Sequence, residues 1–341
     1  MMARSHSVQF RRPYIGIAAA FSLLVNLGAA QNATKTPSIV HQYAPVAYVE
    51  SLAVRPNGHI LPITTTSSIL DELDPETGTL TPVYDFSAVG NAIQGIVALP
   101  GDAILVNALI CNISQLTCTE GSVHTWRVDF QGHERVEARE IAKWPEAGFL
   151  NGMTALNART VLIADSFLGG IWSVDAHSGD SRLLFTDDSM APSETIGTGV
   201  NGIRVVKGSE GLTLYFTNSA LGTLNKMSVN SCTGTKAGNA TVIASGLSGP
   251  DDFALDFGEG SGFAYLANGA VDQVLKIDLS SAESSVLASL PGPTSLRWSE
   301  ADEYGQRKGK QSVLYASTIG GLAQYIAHNV TLGGAVYALQ V

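Results

Sequence analysis

The sequence predicts an all-β fold: a six-bladed β-propeller closed by an N-terminal strand that completes the last blade. Three observations predict it. A four-strand unit recurs six times at a spacing of roughly 45 to 55 residues, the period that propeller blades require. The apolar runs are short and bounded by Gly, Asn, Asp or Pro, which are strand and turn signals. The sixth unit has no fourth strand of its own, while an unassigned strand-like run, SIVHQYA (38–44), precedes the first.

The first strand of each unit reads VESLAV (49–54), IQGIVAL (93–99), LNGMTAL (150–156), VNGIRVV (200–206), DDFALDF (251–257) and PTSLRW (293–298). Second strands follow at GHILPITT, DAILVNAL, RTVLIADS, LTLYFTNS, GFAYLANG and SVLYASTI. Third strands follow at GSVHTWRVDF, GGIWSVDA, GTLNKMSV, DQVLKIDL and GAVYALQV (334–341), with a degenerate first-blade copy at ILDELDP (69–75). Outer strands are read at LTPVYDF, RVEAREIAKW, SRLLFT, ATVIAS and SSVLASL. The run at 38–44 is expected to supply the missing outer strand, which removes the exposed sheet edges of an open ring.

Composition agrees with one large domain over residues 31–341: the chain has 341 residues, is 45% hydrophobic and only 15% charged, and carries 35 glycines for turns and tight packing. Residues 1–30 read differently. Arg4, Arg11 and Arg12 precede an apolar run from Tyr14 to Leu27 and a small-residue exit, Gly28-Ala29-Ala30, which is the pattern of a secretory signal peptide. The expected location is therefore secreted or in the secretory lumen, with no membrane span after cleavage. Cleavage removes three arginines and no acids from a chain whose net charge is already −10. Such a surface repels nucleic acid and anionic membranes.

Sequons at Asn32, Asn112, Asn239 and Asn329 fit a eukaryotic secretory route with glycosylation. In an oxidising compartment Cys111 and Cys118 are expected to pair across a short loop of the second blade. Cys232 is left over and reads as a buried or unpaired thiol.

Residues in register on the inner strands converge on the propeller axis. They are Glu50, Gln94, Asn151, Asn201, Asp251 and Thr294. Two carboxylates brought together out of water must bind a cation, share a proton or be solvated by neighbouring amides. All six are oxygen donors, so the composition suits Ca²⁺ and disfavours zinc. Asn107, Asp165, Asn218, Asn268 and Thr318, near the ends of second strands, read instead as turn-closing groups or as a layer supporting the ring. The histidines fall in turns or outer strands, where a histidine dyad is hard to assemble.

On these residues the chain resembles the SMP-30/gluconolactonase-like family, six-bladed propellers that hold one divalent metal at the centre and often hydrolyse lactones. The resemblance spans essentially the whole mature chain. It implies metal ligation by Glu50 in VESLAV, Asn201 in VNGI and Asp251 in GPDDF, and contact of Asn151 in LNGM with metal-bound water or substrate. Two positions depart from the pattern. The motif's glycine is Asp252, and Phe149 replaces the basic residue that grips a polar substrate.

With Phe149, Leu150, Met153, Asp252 and Phe253 read near its mouth, the pocket suits an apolar substrate better than a sugar. The chain is similar in length, leader and blade signatures to a fungal secreted branch that includes hetero-Diels-Alderases of tropolone-sesquiterpenoid (meroterpenoid) secondary metabolism. That resemblance implies a cyclase joining a quinone-methide heterodiene to a terpene alkene, with no required cofactor. Gln94, Asn151, Asn201, Asp251 and Thr294 would be its catalytic groups. The alternatives are a Ca²⁺-dependent lactonase or esterase, and a non-catalytic ligand-binding propeller.

Overall fold

Alternating short apolar runs and tight turns build six antiparallel four-stranded sheets, seen in a computed structural model that describes residues 36–341 except 113–116, 133–134, 210, 259–261, 302–304, 310–311 and 322–331. The leader read at residues 1–30, Asn32 and Asn329 lie outside the described residues. β1 (Ser38–Gln42) precedes blade one, which comprises β2 (Val49–Val54), β3 (Ile60–Thr64), β4 (Ile69–Leu73) and β5 (Leu80–Asp85). Blade two is β6 (Ala92–Leu99), β7 (Ala103–Leu109), β10 (His124–Gln131) and β11 (Arg135–Lys143), interrupted by a small hairpin of β8 (Cys111–Asn112) and β9 (Thr117–Cys118). Blade three is β12 (Leu150–Ala155), β13 (Thr160–Asp165), β14 (Gly170–Asp175) and β15 (Ser181–Thr186). Blade four is β16 (Val200–Gly208), β17 (Gly211–Asn218), β18 (Thr223–Val229) and β19 (Thr241–Ala244). Blade five is β20 (Pro250–Asp256), β21 (Phe263–Asn268), β22 (Gln273–Asp278) and β23 (Ser284–Ser289). Blade six is β24 (Pro293–Trp298), β25 (Leu314–Thr318) and β26 (Ala335–Leu339), with β1 as its outer strand. The N-terminal closure expected from the sequence is therefore present: Ser38 pairs with Ala338 and Gln42 with Ala335.

Apolar residues alternate to both faces of each sheet, so every blade packs on two neighbours. Six buried clusters result, one at each blade interface. Closure between blades six and one rests on Val49, Leu52, Ile60, Leu73, Tyr315 and Val336. Small residues bring the inner strands together at the axis. A Cβ on Gly152 would lie 2.3 Å from the Asn201 carbonyl oxygen, and one on Gly95 would lie 2.4 Å from that of Asn151. Only glycine permits that approach.

The turns between third and fourth strands repeat one design. Asp175 accepts backbone N–H bonds from His177 and Ser178, and Asp278 accepts them from Ser280 and Ser281. Four residues after the capping side chain the backbone enters the left-handed region, at Gly78 (φ 71°), Gly179 (φ 79°), Gly234 (φ 70°) and Ala282 (φ 63°). Blade five alone in this set uses a residue with a Cβ.

Cys111 and Cys118 form the expected disulfide across the β8–β9 hairpin. Cys232 is free and exposed, not buried. Asn112 and Asn239 are exposed. Among the described residues no helix is long and apolar enough to cross a membrane.

Candidate functional site

Each inner strand carries a register shift near its start. It falls between Val49 and Ser51, Gln94 and Ile96, Leu150 and Met153, Val200 and Ile203, Pro250 and Phe253, and Pro293 and Ser295. A bulge of this kind re-aims one side chain out of the regular alternation. The six polar residues read from register stand at these bulges, which is how strands with apolar interiors present a polar ring.

Gln94 is the link in that ring. Its amide nitrogen donates to Glu50 Oε1 at 2.8 Å and to Asn151 Oδ1 at 3.0 Å. Asn201 donates to Ser219 Oγ at 3.2 Å and also hydrogen-bonds Asp251. Burial, above all, and then the charges of Glu50 and Asp252 push the Asp251 carboxyl far above the ordinary range, against the Asn201 bond. Burial likewise raises Glu50 to about 7, opposed by the Gln94 bond and assisted by the Asp252 charge. The two carboxyls therefore hold a proton between them near neutral pH unless a cation replaces it.

Thr294 departs from the expectation. Its hydroxyl is spent within the fold, on the Val49 carbonyl and the Ser317 hydroxyl, both at 2.8 Å. The Gln94 amide hydrogens are likewise engaged.

Beneath the ring lies a second layer formed by the next residue of each strand: Ser51, Gly95, Gly152, Gly202, Asp252 and Ser295. Asp252, expected to touch substrate, is instead an internal ion-pair partner. It accepts from Arg204 Nη2 at 2.8 Å, Arg297 Nη1 at 2.7 Å, Ser295 Oγ at 3.1 Å and the Phe253 amide at 2.8 Å. Phe253 is fully buried in the cluster between blades four and five, so it packs the core and does not line a mouth. Leu150 is likewise core. Met153 is buried and lines a cavity of about 800 Å³ at the opposite end of the channel, together with Ala53, Val97, Thr154, Arg204 and Arg297. Phe149 does stay near the ring's mouth. It is half-buried and stacks on Phe167 with ring centroids 5.1 Å apart.

Tyr48 was not singled out from the sequence. It precedes Glu50 by two residues, and its phenol is pushed up by burial and then by the charges of Glu50 and Asp251. Arg204 and Arg297 were also missed, although both stand three residues after a ring position. Asp165, by contrast, is the turn-closing group expected, accepting the amides of Gly148, Phe149 and Leu168.

The loops at the ring's end of the channel carry exposed Val46, Ile110, Leu168, Ile196, Leu221 and Leu332. Those loops contain Glu120, Glu146, Asp187, Asp188, Glu194 and Asp272 but no Lys or Arg of their own, and Lys236 from the blade-four turn pairs with Asp187. The mouth is thus apolar and acidic, and it disfavours anions.

The ring also fits a hard cation. Gln94 Oε1 and Asn201 Oδ1 are buried without a hydrogen-bond donor. With Glu50 and Asp251 they make an all-oxygen set of the kind Ca²⁺ prefers. Among the described residues there is no cluster of three or more His, Cys, Asp or Glu side chains, so amides must complete any such site.

No family model matches the chain. It is 24% identical over 323 residues to the asR5 protein of Sarocladium schorii, assigned as a hetero-Diels-Alderase, a match covering 82% of this chain and 77% of that protein. A protein of a Phoma species with the same assignment is 24% identical over 310 residues, covering 82% of this chain and 85% of the relative. Among solved structures, the calcium-binding protein regucalcin of Agrobacterium tumefaciens superposes with a TM-score of 0.58 at 16% identity, covering 89% of this chain and 95% of the other. The likeness in structure is one of fold: a regucalcin-type six-bladed propeller, as the sequence predicts.

Proposed function

We propose that the chain is a secreted small-molecule cyclase of the hetero-Diels-Alder type, acting at the polar ring on a reactive heterodiene of the tropolone quinone-methide class and an apolar terpene alkene. The observation that carries this reading is the apolar mouth leading to a ring of hydrogen-bonding groups, in a chain similar to two proteins assigned that activity. The disulfide supports passage through an oxidising compartment.

The reaction converts two π bonds into one C–O and one C–C bond, and loses no atom. It needs no nucleophile. Holding both partners in a near-attack pose supplies much of the rate, because pre-organisation removes the entropy of bringing them together. Phe149 stacked on Phe167 offers a flat apolar wall for the diene. A donor aimed at the heterodiene oxygen polarises it, and a single such donor is worth on the order of 10² to 10³ in rate. Gln94 and Thr294 spend their donors elsewhere, which leaves Tyr48 and a protonated Glu50 or Asp251 as the donors to test.

The buried oxygens without donors favour a second reading, a Ca²⁺-dependent lactonase. Glu50, Asn201 and Asp251 would hold the ion, with Asn151 beside it, and the bound ion would polarise a lactone carbonyl.

The test is to assay the mature protein, with and without chelator, on simple lactones and on a quinone-methide precursor supplied with a terpene alkene. A cyclase gives cycloadduct at a rate that chelator leaves within about two-fold, and Phe149→Arg abolishes it. Lactone turnover that chelator eliminates, with no cycloadduct, would sink the cyclase reading.

A further inference from the structure

We propose that the cavity at the far end of the channel is a second ligand site, built for a monoanionic amphipathic molecule: one carboxylate carried on an apolar body. The argument starts from a charge imbalance. Two guanidinium groups, Arg204 and Arg297, converge on the single carboxylate of Asp252, with side chains 5%, 14% and 8% exposed respectively. Two cations on one anion, nearly removed from water, leave one positive charge uncompensated within the triad. Asp252 stands between the arginines and the ring, and it is the Asp252 charge that reaches Glu50 and Asp251.

Both arginines line the cavity and Asp252 does not, so an incoming anion meets the arginines without meeting the carboxylate that pairs with them. The other walls are largely apolar, including Ile96, Val97, Met153 and Trp298. At about 800 Å³ the cavity is within the range that encloses a drug-sized ligand. A third arginine at its edge, Arg55, does not add to the attraction, because Glu72 and Asp102 both pair with it. Glu300 and Lys308 also line the cavity, one charge of each sign, so the excess positive charge rests on the arginine pair. A guanidinium pair presents planar donors that match a carboxylate, while the apolar walls select the body behind it.

The experiment is calorimetric titration of the mature protein with decanoate and, as the neutral counterpart of the same shape, decanol. Decanoate should bind at least ten-fold more tightly. Arg297→Met leaves Arg204 paired one-to-one with Asp252 and should erase that preference. Val97→Glu sets a negative charge on the cavity wall without touching the triad, and should do the same. Melting curves establish that each variant is folded, and the second variant carries the test if the first is not. Equal binding of decanoate and decanol, or a preference that survives both substitutions, overturns the proposal. So does tighter decanoate binding in Leu221→Arg, because that change adds a cation only at the other mouth.

Discussion

The closure of the ring can be tested by removing β1, comparing a chain that starts at Thr36 with one that starts at Ala44. The structure sets the scale. β1 pairs with β26 at four positions, the Tyr43 amide donates to the Gly334 carbonyl at 2.9 Å, and the Gln42 amide reaches the carbonyls of Leu332 and Gly333 at 3.1 Å. His41 Nδ1 lies 2.8 Å from the Gly78 carbonyl, which ties blade six to blade one. Val40 and Tyr43 pack on the cluster between those blades. Net hydrogen-bond contributions of roughly 1 kcal/mol each, with partial burial of two apolar side chains, give a gross gain of about 8 to 10 kcal/mol. Ordering the contact-making residues 38–43 costs about 1 kcal/mol each, which offsets most of that. A net loss of about 2 to 4 kcal/mol remains, or a Tm lower by roughly 5 to 10 °C in a domain of this size. The exposed edge of β26 should also promote association, visible by light scattering. If the shorter chain melts with the longer one and stays monodisperse, the N-terminal strand does not close the propeller.

The ring and the repeated turn make further predictions. Folded Glu50 keeps its proton to about pH 7, whereas the unfolded chain releases it near 4.5, so stability falls as pH rises between those values, by up to roughly 3 kcal/mol. In chelator, denaturant titrations at pH 5 and pH 8 should show that loss, and Glu50→Gln should reduce it while Asp251 keeps the remainder; an unchanged slope in the variant refutes the assignment. Ala282 holds a left-handed conformation that glycine occupies in three equivalent turns. Ala282→Gly should therefore raise stability by about 0.5 to 1 kcal/mol in thermal melts, and a lower Tm would show that the turn carries no strain.

The blades were legible because their signals are local: short apolar runs, turn formers and a fixed period. Even the degenerate third strand of blade one forms, as β4 (Ile69–Leu73), and the closing strand forms where an unassigned run stood. The ring was legible from register, since Glu50, Gln94 and Asn151 are joined by hydrogen bonds. What register could not supply was direction. The bulges shift each strand's alternation, so counting outward from a ring residue sent Phe253 to the pocket when it belongs to the core, and Met153 to the wrong end of the channel. Pairing across blades was also hidden, because Arg204, Asp252 and Arg297 lie on three different strands and no local pattern joins them.

Asp252 connects these points. It occupies the position where the inner strands of blades two, three and four each carry glycine. A Cβ on Gly202 would lie 2.4 Å from its carboxylate oxygen, so glycine on one strand and the carboxylate on the next fill the same part of the axis. A charge placed there is tolerable only with partners, and the arginines three residues beyond two ring positions provide them. The triad's side chains then lie between the ring and the far cavity. One consequence is chemical separation: an acidic, apolar mouth above, and an arginine floor below that faces the other way. A substitution that looked like the loss of a motif glycine is better read as the element that gives the two ends of one channel different chemistry.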